Sequence, residues 1–268
     1  MAELLAIRDL TVSYGVLQSP CTALRGVTLS LAEGGTLGVL GESGSGKSTL
    51  ALSVIGLLPA SAQVSSGAVI FRGDDLLRFP ERQMQSLRGG AIALVPQEPA
   101  QALHPMLTAG EQIADVVRAH GLLSRRECRQ QAEQMLREAG LEDVARIYRA
   151  YPHQLSGGQR QRVAIAQALC CRPALVIADE PTTALDVSTQ REILDLLRRL
   201  QSEFGTALVL ISHDPAVLEN LVEQVIVLRN GEIVDRGAAA TVLRAPTHTY
   251  TQALLDSRPR LEAFKHAG

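Results

Sequence analysis

Residues 41–49 read GESGSGKST, and the lysine in that run is one of only two in a chain with 26 basic residues. The other is Lys265; every remaining cation is arginine. Lys47 sits in the spacing G-x-x-x-x-G-K-[ST] of a phosphate-binding loop. Gly41, Gly44 and Gly46 let the backbone curl so that successive N–H groups point at phosphate oxygens. The helix that follows adds its positive N-terminal end. Lys47 reaches the β- and γ-phosphates as a compact ammonium on a flexible stem, where a broad planar guanidinium fits poorly. Ser48 offers a hydroxyl to Mg²⁺.

A second pair of reactive groups ends the apolar run ALVIADEP, residues 174–181. Asp179 suits Mg²⁺ binding through water, and Glu180 can orient or deprotonate an attacking water. Phosphate loop and paired acids together make nucleoside triphosphate hydrolysis the leading chemistry. A third feature, LSGGQ at residues 155–159, opens the helical stretch RQRVAIAQALCC. Ser156, Gly157 and Gly158 thus form a second helix N-terminus able to bind anions. Two such ends in one chain invite a head-to-tail dimer, with ATP clamped between the loop of one protomer and LSGGQ of the other.

These groups need a scaffold. LLAIRDLTVSY and TALRGVTLSL alternate like β-strands, separated from the next run by Glu33-Gly34-Gly35. TLGVL (36–40), ALVIADE (174–180) and ALVLISHD (207–214) are short continuous apolar runs, as expected of strands buried on both faces. A helix is expected from about Lys47 to Leu58, stopped by Pro59. QREILDLLRRLQSEF reads as an amphipathic helix ended by Gly205. That order implies a parallel, doubly wound α/β sheet. Asn230-Gly231 lies between two alternating runs, a hairpin signal. From about Pro99 to Tyr151 helical spacing dominates. In ECRQQAEQMLREAG, Cys128, Ala132, Met135, Leu136 and Ala139 share a face, so a helical subdomain is inserted into the core. The last 30 residues read as a polar, helical tail.

Composition closes several alternatives. A formal charge of −2 gives no general pull toward nucleic acid or an anionic membrane. Aromatics make up 3% of the chain, too few for a base-stacking platform. Cys21, Cys128, Cys170 and Cys171 make no CxxC pair and read as reduced core thiols, with Cys170 and Cys171 expected to point in different directions on a helix. MAELLAIRDL lacks the pattern of a signal peptide. No apolar run approaches the roughly 20 residues needed to cross a bilayer. A soluble, cytoplasmic protein is expected.

The motifs and their order resemble the ATP-binding subunits of ABC transporters over nearly the whole chain. The resemblance implies a P-loop NTPase (RecA-like) α/β core with an antiparallel β-subdomain and an inserted α-helical subdomain, at about residues 98–165. The ATP-binding domain would span residues 1–240, and residues 241–268 a short tail. Tyr14 matches the aromatic that stacks on adenine. Gly41, Glu42, Ser43, Gly44, Ser45, Gly46, Lys47, Ser48 and Thr49 match the nucleotide-binding loop. Gln97 in LVPQEP matches the glutamine that senses Mg²⁺ and couples to the permease. Ser156, Gly157, Gly158 and Gln159 belong to the signature motif, Asp179 and Glu180 to the magnesium and catalytic acids. Ala184-Leu185-Asp186 matches the D-loop, and His213 the switch histidine at the γ-phosphate. Catalysis would rest on Lys47, Glu180, His213 and Gln97; Mg²⁺ on Ser48, Gln97 and Asp179; the cofactors would be ATP and Mg²⁺.

Within that family DEPTTALDVSTQREIL, YPHQLSGGQRQRVAIAQAL and APTHTYTQALL are most similar to the peptide and nickel importer branch. Thr249 stands where that branch usually has proline, and Gln101, Ala102 and His104 replace its Thr, Ser and Asn. The implied partners are two membrane-spanning permeases, a second ATP-binding subunit (identical or different) and, indirectly, a solute-binding protein, with no nucleic acid. The implied place is the cytoplasmic face of the inner membrane, peripherally bound. Two other uses of the same motifs stay open at this point: an accessory ATPase in a soluble complex such as carbon–phosphorus lyase, and an exporter subunit. An ABC ATPase acting on DNA or in translation would usually show a zinc-binding insertion, a long coiled coil or a second fused cassette, and none is visible.

Overall fold

The structure, a computed structural model, describes residues 2–15, 21–121, 123–183 and 185–256. Ala184 of the D-loop match, Lys265 and the end of the tail lie outside the described residues. In chain order come β1 (Glu3–Tyr14), β2 (Cys21–Ala32), β3 (Thr36–Leu40), α1 (Lys47–Val54), β4 (Ala62–Phe71), β5 (Asp74–Asp75), α2 (Glu81–Leu87) and β6 (Ile92–Val95). Five helices follow: α3 (Pro99–Ala102), α4 (Ala109–His120), α5 (Arg125–Glu138), α6 (Val144–Arg149) and α7 (Gly157–Leu169). The remainder is β7 (Leu175–Asp179), α8 (Val187–Phe204), β8 (Ala207–Ser212), α9 (Pro215–Glu219), β9 (Gln224–Arg229), β10 (Glu232–Ala238), α10 (Ala239–Arg244) and α11 (Thr249–Asp256).

Two sheets form. One is antiparallel, in the order β2-β1-β4-β5. The other runs β10-β9-β3-β8-β7-β6, parallel from β9 to β6, with β10 antiparallel at its edge. The continuous apolar strands explain themselves here, because successive side chains of a strand face opposite sides. Leu175 and Ile177 of β7 enter the core shared with α1 and the antiparallel sheet, whereas Val176 and Ala178 enter the core shared with the helical layer. All three runs read as doubly buried strands become central strands.

Among the described residues between β6 and β7 the regular elements are all helices, and the buried face of α5 and its end is the one expected: Cys128, Ala132, Met135, Leu136 and Ala139 are all buried. Capping boxes start α4 at Thr108 with Glu111 and α5 at Ser124 with Glu127. Each pair satisfies two helix-end N–H groups reciprocally. Asp186 caps α8 through Thr189, and Gly205 ends it in the left-handed conformation.

Several features differ from the sequence reading. The helix after the phosphate loop stops at Val54 rather than Leu58, because Gly56 turns left-handed (φ 63°) and the Leu57 N–H bonds back to Leu52. β4 and β6 were not visible as strands: AQVSSGAVIF is interrupted by Ser-Ser-Gly, and IALV is only four residues long. Cys170 and Cys171 do not diverge. α7 ends at Leu169, and in the turn beyond it the two sulfurs lie 4.0 Å apart. The expected helical tail forms α10 and α11, and within it Val242, Tyr250 and Thr251 are buried.

The Asn230-Gly231 turn joins β9 to β10 with both residues at positive φ, as a two-residue hairpin of this kind requires. Its position matters for the phosphate loop, because the Gly231 N–H donates to Ser45 O at 3.0 Å. A Cβ on Gly231 would lie 2.6 Å from Ala23 O. Gly231→Ala is therefore expected to cost about 1–3 kcal/mol, from backbone strain and displacement of the turn. Urea unfolding measures it; an unchanged midpoint would mean that the turn adapts freely.

Candidate functional site

The phosphate loop connects β3 to α1 over the C-terminal edge of the parallel sheet, the edge at which β7 ends in Asp179 and β8 in Ser212. Gly41 admits no side chain, since a Cβ there would stand 2.4 Å from Leu228 O on β9. Lys47 is buried, and its Nζ donates to the carbonyls of Gly41 and Glu42, each at 2.8 Å. Burial lowers the Lys47 pKa, opposed by the carboxylates of Glu180, Asp179 and Glu42. The lysine thus folds the loop around itself and stays beside two acids, with Glu180 Oε1 at 3.9 Å.

Glu180 is the meeting point. Its backbone is left-handed (φ 44°), which turns the residue out of β7's line. One carboxylate oxygen, Oε2, lies 3.0 Å from His213 Nδ1 and accepts from Gln97 Nε2 at 3.2 Å and Thr183 Oγ1 at 2.9 Å. Gln97 follows β6 and His213 follows β8, so the residues converge only because β6, β7 and β8 are adjacent parallel strands. Thr183 is the member that the sequence did not single out. The only signal was its place three residues after Glu180, in PTT.

The Ser48 hydroxyl lies near the Asp179 carboxylate, whose Oδ1 is buried without a hydrogen-bond partner. Burial pushes the Asp179 carboxyl above the usual carboxylate range. The nearby Ser48 hydroxyl opposes that rise, Glu180 adds to it and Lys47 opposes it. Ser45 Oγ is likewise buried and unpartnered. Glu42, Ser43, Gly44 and Ser48 are exposed, whereas Ser45 and Thr49 are buried. Tyr14 is half-buried at the end of β1, its hydroxyl 3.1 Å from Thr49 Oγ1.

The residues of LSGGQ stand apart. Ser156 Oγ accepts the Gln159 N–H at 3.2 Å, while Gln159 Oε1 accepts the Ser156 N–H at 3.1 Å, a capping box that starts α7. Gly157 and Gly158 lie against Leu185 and Thr189. No hydrogen bond joins residues 156–159 to the phosphate loop among the described residues.

The ABC transporter family profile matches residues 24–183. The chain belongs to the ABC transporter family. It resembles a Sinorhizobium fredii protein named as a probable peptide ABC transporter ATP-binding protein, 46% identical over 96% of this chain and 77% of that one. It also resembles the dipeptide transport ATP-binding protein DppD of Bacillus subtilis (39%, 98% and 78%) and the oligopeptide transport ATP-binding protein OppD of Escherichia coli (40%, 97% and 77%). Among solved structures, a dimeric ATP-binding cassette in a post-hydrolysis state bound to ADP and Pi superposes with a TM-score of 0.79. The two are 33% identical over 88% of this chain and 99% of that one. The fold is thus the P-loop ABC ATPase fold, and this chain is an ATP-binding, ATP-hydrolysing component.

Electrostatics at Asp179 give a test independent of turnover. A carboxyl with a raised folded pKa contributes stability below its unfolded value and loses it as pH rises through the folded value. At neutral pH, the ionised Asp179 therefore costs stability. Asp179→Asn is expected to raise the thermal midpoint at neutral pH, with the gain over wild type shrinking as pH falls into the carboxylate range. Paired melting curves against pH measure this, and a variant less stable at neutral pH would contradict the assigned cause.

Proposed function

We propose that this chain is one of two ATP-binding subunits that power an importer for peptides or a related small solute. It would act peripherally on two membrane-spanning permeases at the cytoplasmic face of the inner membrane, with a solute-binding protein delivering cargo. The observation that carries the reading is the gathering of Lys47, Asp179, Gln97 and His213 around Glu180, in a chain whose residues 156–159 make no hydrogen bond to the phosphate loop among the described residues. Such a chain needs a second ATP-binding subunit, identical or different, to complete each site. The names of the relatives as peptide transport proteins support peptide cargo, and neither the carbon–phosphorus lyase reading nor the exporter reading gains support from them. Among the described residues no helix is long and apolar enough to cross a membrane, so the permeases would be separate chains or segments.

The residue roles follow from the geometry. The loop from Gly41 to Thr49 would wrap the phosphates with its N–H groups, and Lys47 would exchange its two carbonyl contacts for β- and γ-phosphate oxygens. Tyr14 would stack on adenine. Ser48, Gln97 and Asp179 offer the oxygen donors that Mg²⁺ prefers, and the unpartnered Asp179 Oδ1 fits such a ligand set. Bound there, Mg²⁺ would neutralise charge on the phosphates. Glu180 would accept a proton as water oxygen bonds to the γ-phosphorus and the bond to the β–γ bridging oxygen breaks, giving ADP and inorganic phosphate. His213 would contact the γ-phosphate, and Gln97 and Asp186 would report its presence to the permease and the partner. Ser156, Gly157, Gly158 and Gln159 would close on the nucleotide held by the partner's loop. Residues 1–240, with the helical insertion at about 98–165, would form the ATP-binding domain and residues 241–268 a C-terminal extension.

Affinity purification of the tagged chain from detergent-solubilised membranes, with mass spectrometry of what co-elutes, tests the transport role. Two polytopic membrane proteins are expected. Elution with soluble enzymes alone would leave the ATPase standing and remove the importer.

A further inference from the structure

The turn after α7 holds two thiols that the ATPase chemistry leaves unused. Cys170 closes α7 with helical backbone angles (φ −61°, ψ −24°), Cys171 follows in the turn, and Arg172 takes the left-handed conformation (φ 49°). The two sulfurs stand 4.0 Å apart. Both are set against the backbone of α4: Cys170 Sγ lies 3.9 Å from Ile113 O, and Cys171 Sγ 4.0 Å from Val116 O. Gln131 of α5 adds an anchor, its Nε2 donating to Cys170 O at 2.6 Å. The pair is thus held where three helices meet. Cys170 is buried and Cys171 half-buried, so one thiol meets solvent and the second stands behind it.

The chemistry open to such a pair is narrow. Among the described residues no third His, Cys, Asp or Glu joins them as a metal ligand, so an ion that asks for three or four protein donors is not served. A direct disulfide fits poorly: neighbouring Cα atoms sit about 3.8 Å apart across a trans peptide, whereas bridged cysteines usually keep about 4.4–6.8 Å. An inserted atom that binds two sulfurs and carries its own third substituent relieves that strain, because the ring it closes is one atom larger. We propose that Cys170 and Cys171 form a binding site for a trivalent organoarsenical, R–As(OH)₂, held as a cyclic dithioarsenite. Two As–S bonds replace two As–O bonds, and each hydroxyl leaves as water with one thiol proton. Arsenic stays trivalent, so no oxidant or reductant is needed. Cys171 reacts first, being accessible, and Cys170 closes the ring. The contact between the thiols, together with burial, raises the Cys170 pKa, and the same contact lowers that of Cys171. The accessible sulfur is therefore the one that ionises first.

Phenylarsine oxide is the probe. The folded full chain is incubated with it, passed through gel filtration in excess monothiol and weighed intact by mass spectrometry. Wild type is expected to keep one phenylarsenic group through the monothiol wash and to release it to 2,3-dimercaptopropanol. The second As–S bond forms within the chain, so wild type should hold the probe about 100-fold or more tightly than Cys171→Ser or Cys170→Ser. Cys21→Ser, which removes the exposed thiol elsewhere, is expected to bind as wild type does. Melting curves check that each variant is folded. Alkylation of the wild-type chain followed by peptide mapping gives a readout that needs no variant: the probe should shield Cys170 and Cys171 together and leave Cys21 reactive. Loss of the probe to monothiol, retention by Cys171→Ser, or shielding of any other cysteine in place of this pair overturns the proposal.

Discussion

A single ammonium group, with almost no access to water, organises this molecule. A buried lysine is costly unless its donors are satisfied and its charge is countered. Lys47 meets both conditions only inside a particular backbone: two carbonyls from its own loop at 2.8 Å, and the carboxylates of Glu180 and Asp179 nearby. The loop can take that path because Gly41 passes against β9 where no side chain fits. β9 lies there because it pairs with β3, the strand that feeds the loop. The acids are present because β7 ends at the same edge. Burying the charge thus demands the sheet order, and the sheet order supplies the rest of the site.

The same arrangement sets a poised state at Glu180. Three donor-bearing side chains, from three different segments, converge on one carboxylate oxygen. In the proposed mechanism Glu180 takes a proton from water, so these contacts would loosen when nucleotide and partner arrive. The segments bearing Gln97, Thr183 and His213 are therefore the natural conduits between chemistry and motion. Ser156 and Gln159 use their side chains to cap α7, satisfying two N–H groups at that helix end.

Much of this was legible before any coordinates. A chain that uses arginine almost everywhere keeps Lys47 inside a glycine run, continuous apolar runs marked parallel strands, the paired acids Asp179-Glu180 marked chemistry at the tip of one, and the family resemblance singled out His213 at the tip of another. The shared face of α5 was readable from helical spacing alone. What escaped was whatever depends on partners distant in sequence. β6 is too short to carry a periodic signal and becomes a strand only beside β7. Thr183 looks like any turn threonine until Gln97 and His213 are placed around the same oxygen. The two cysteines were expected to point in different directions because a helix was extended past Leu169, where the chain turns instead. Tyr250 read as part of a tail, because nothing local says that the Arg229 guanidinium lies over its ring.

The account turns on Glu180 as the group that removes a proton from the attacking water, held ready by the residues around it. Single-turnover cleavage of ATP by Glu180→Gln tests this directly, because the substitution keeps shape and hydrogen bonding but abolishes basicity. The expected result is ATP binding at wild-type affinity with cleavage slowed by about 100-fold or more, so that uncleaved ATP persists in the assembled dimer. Cleavage at the wild-type rate would contradict the account.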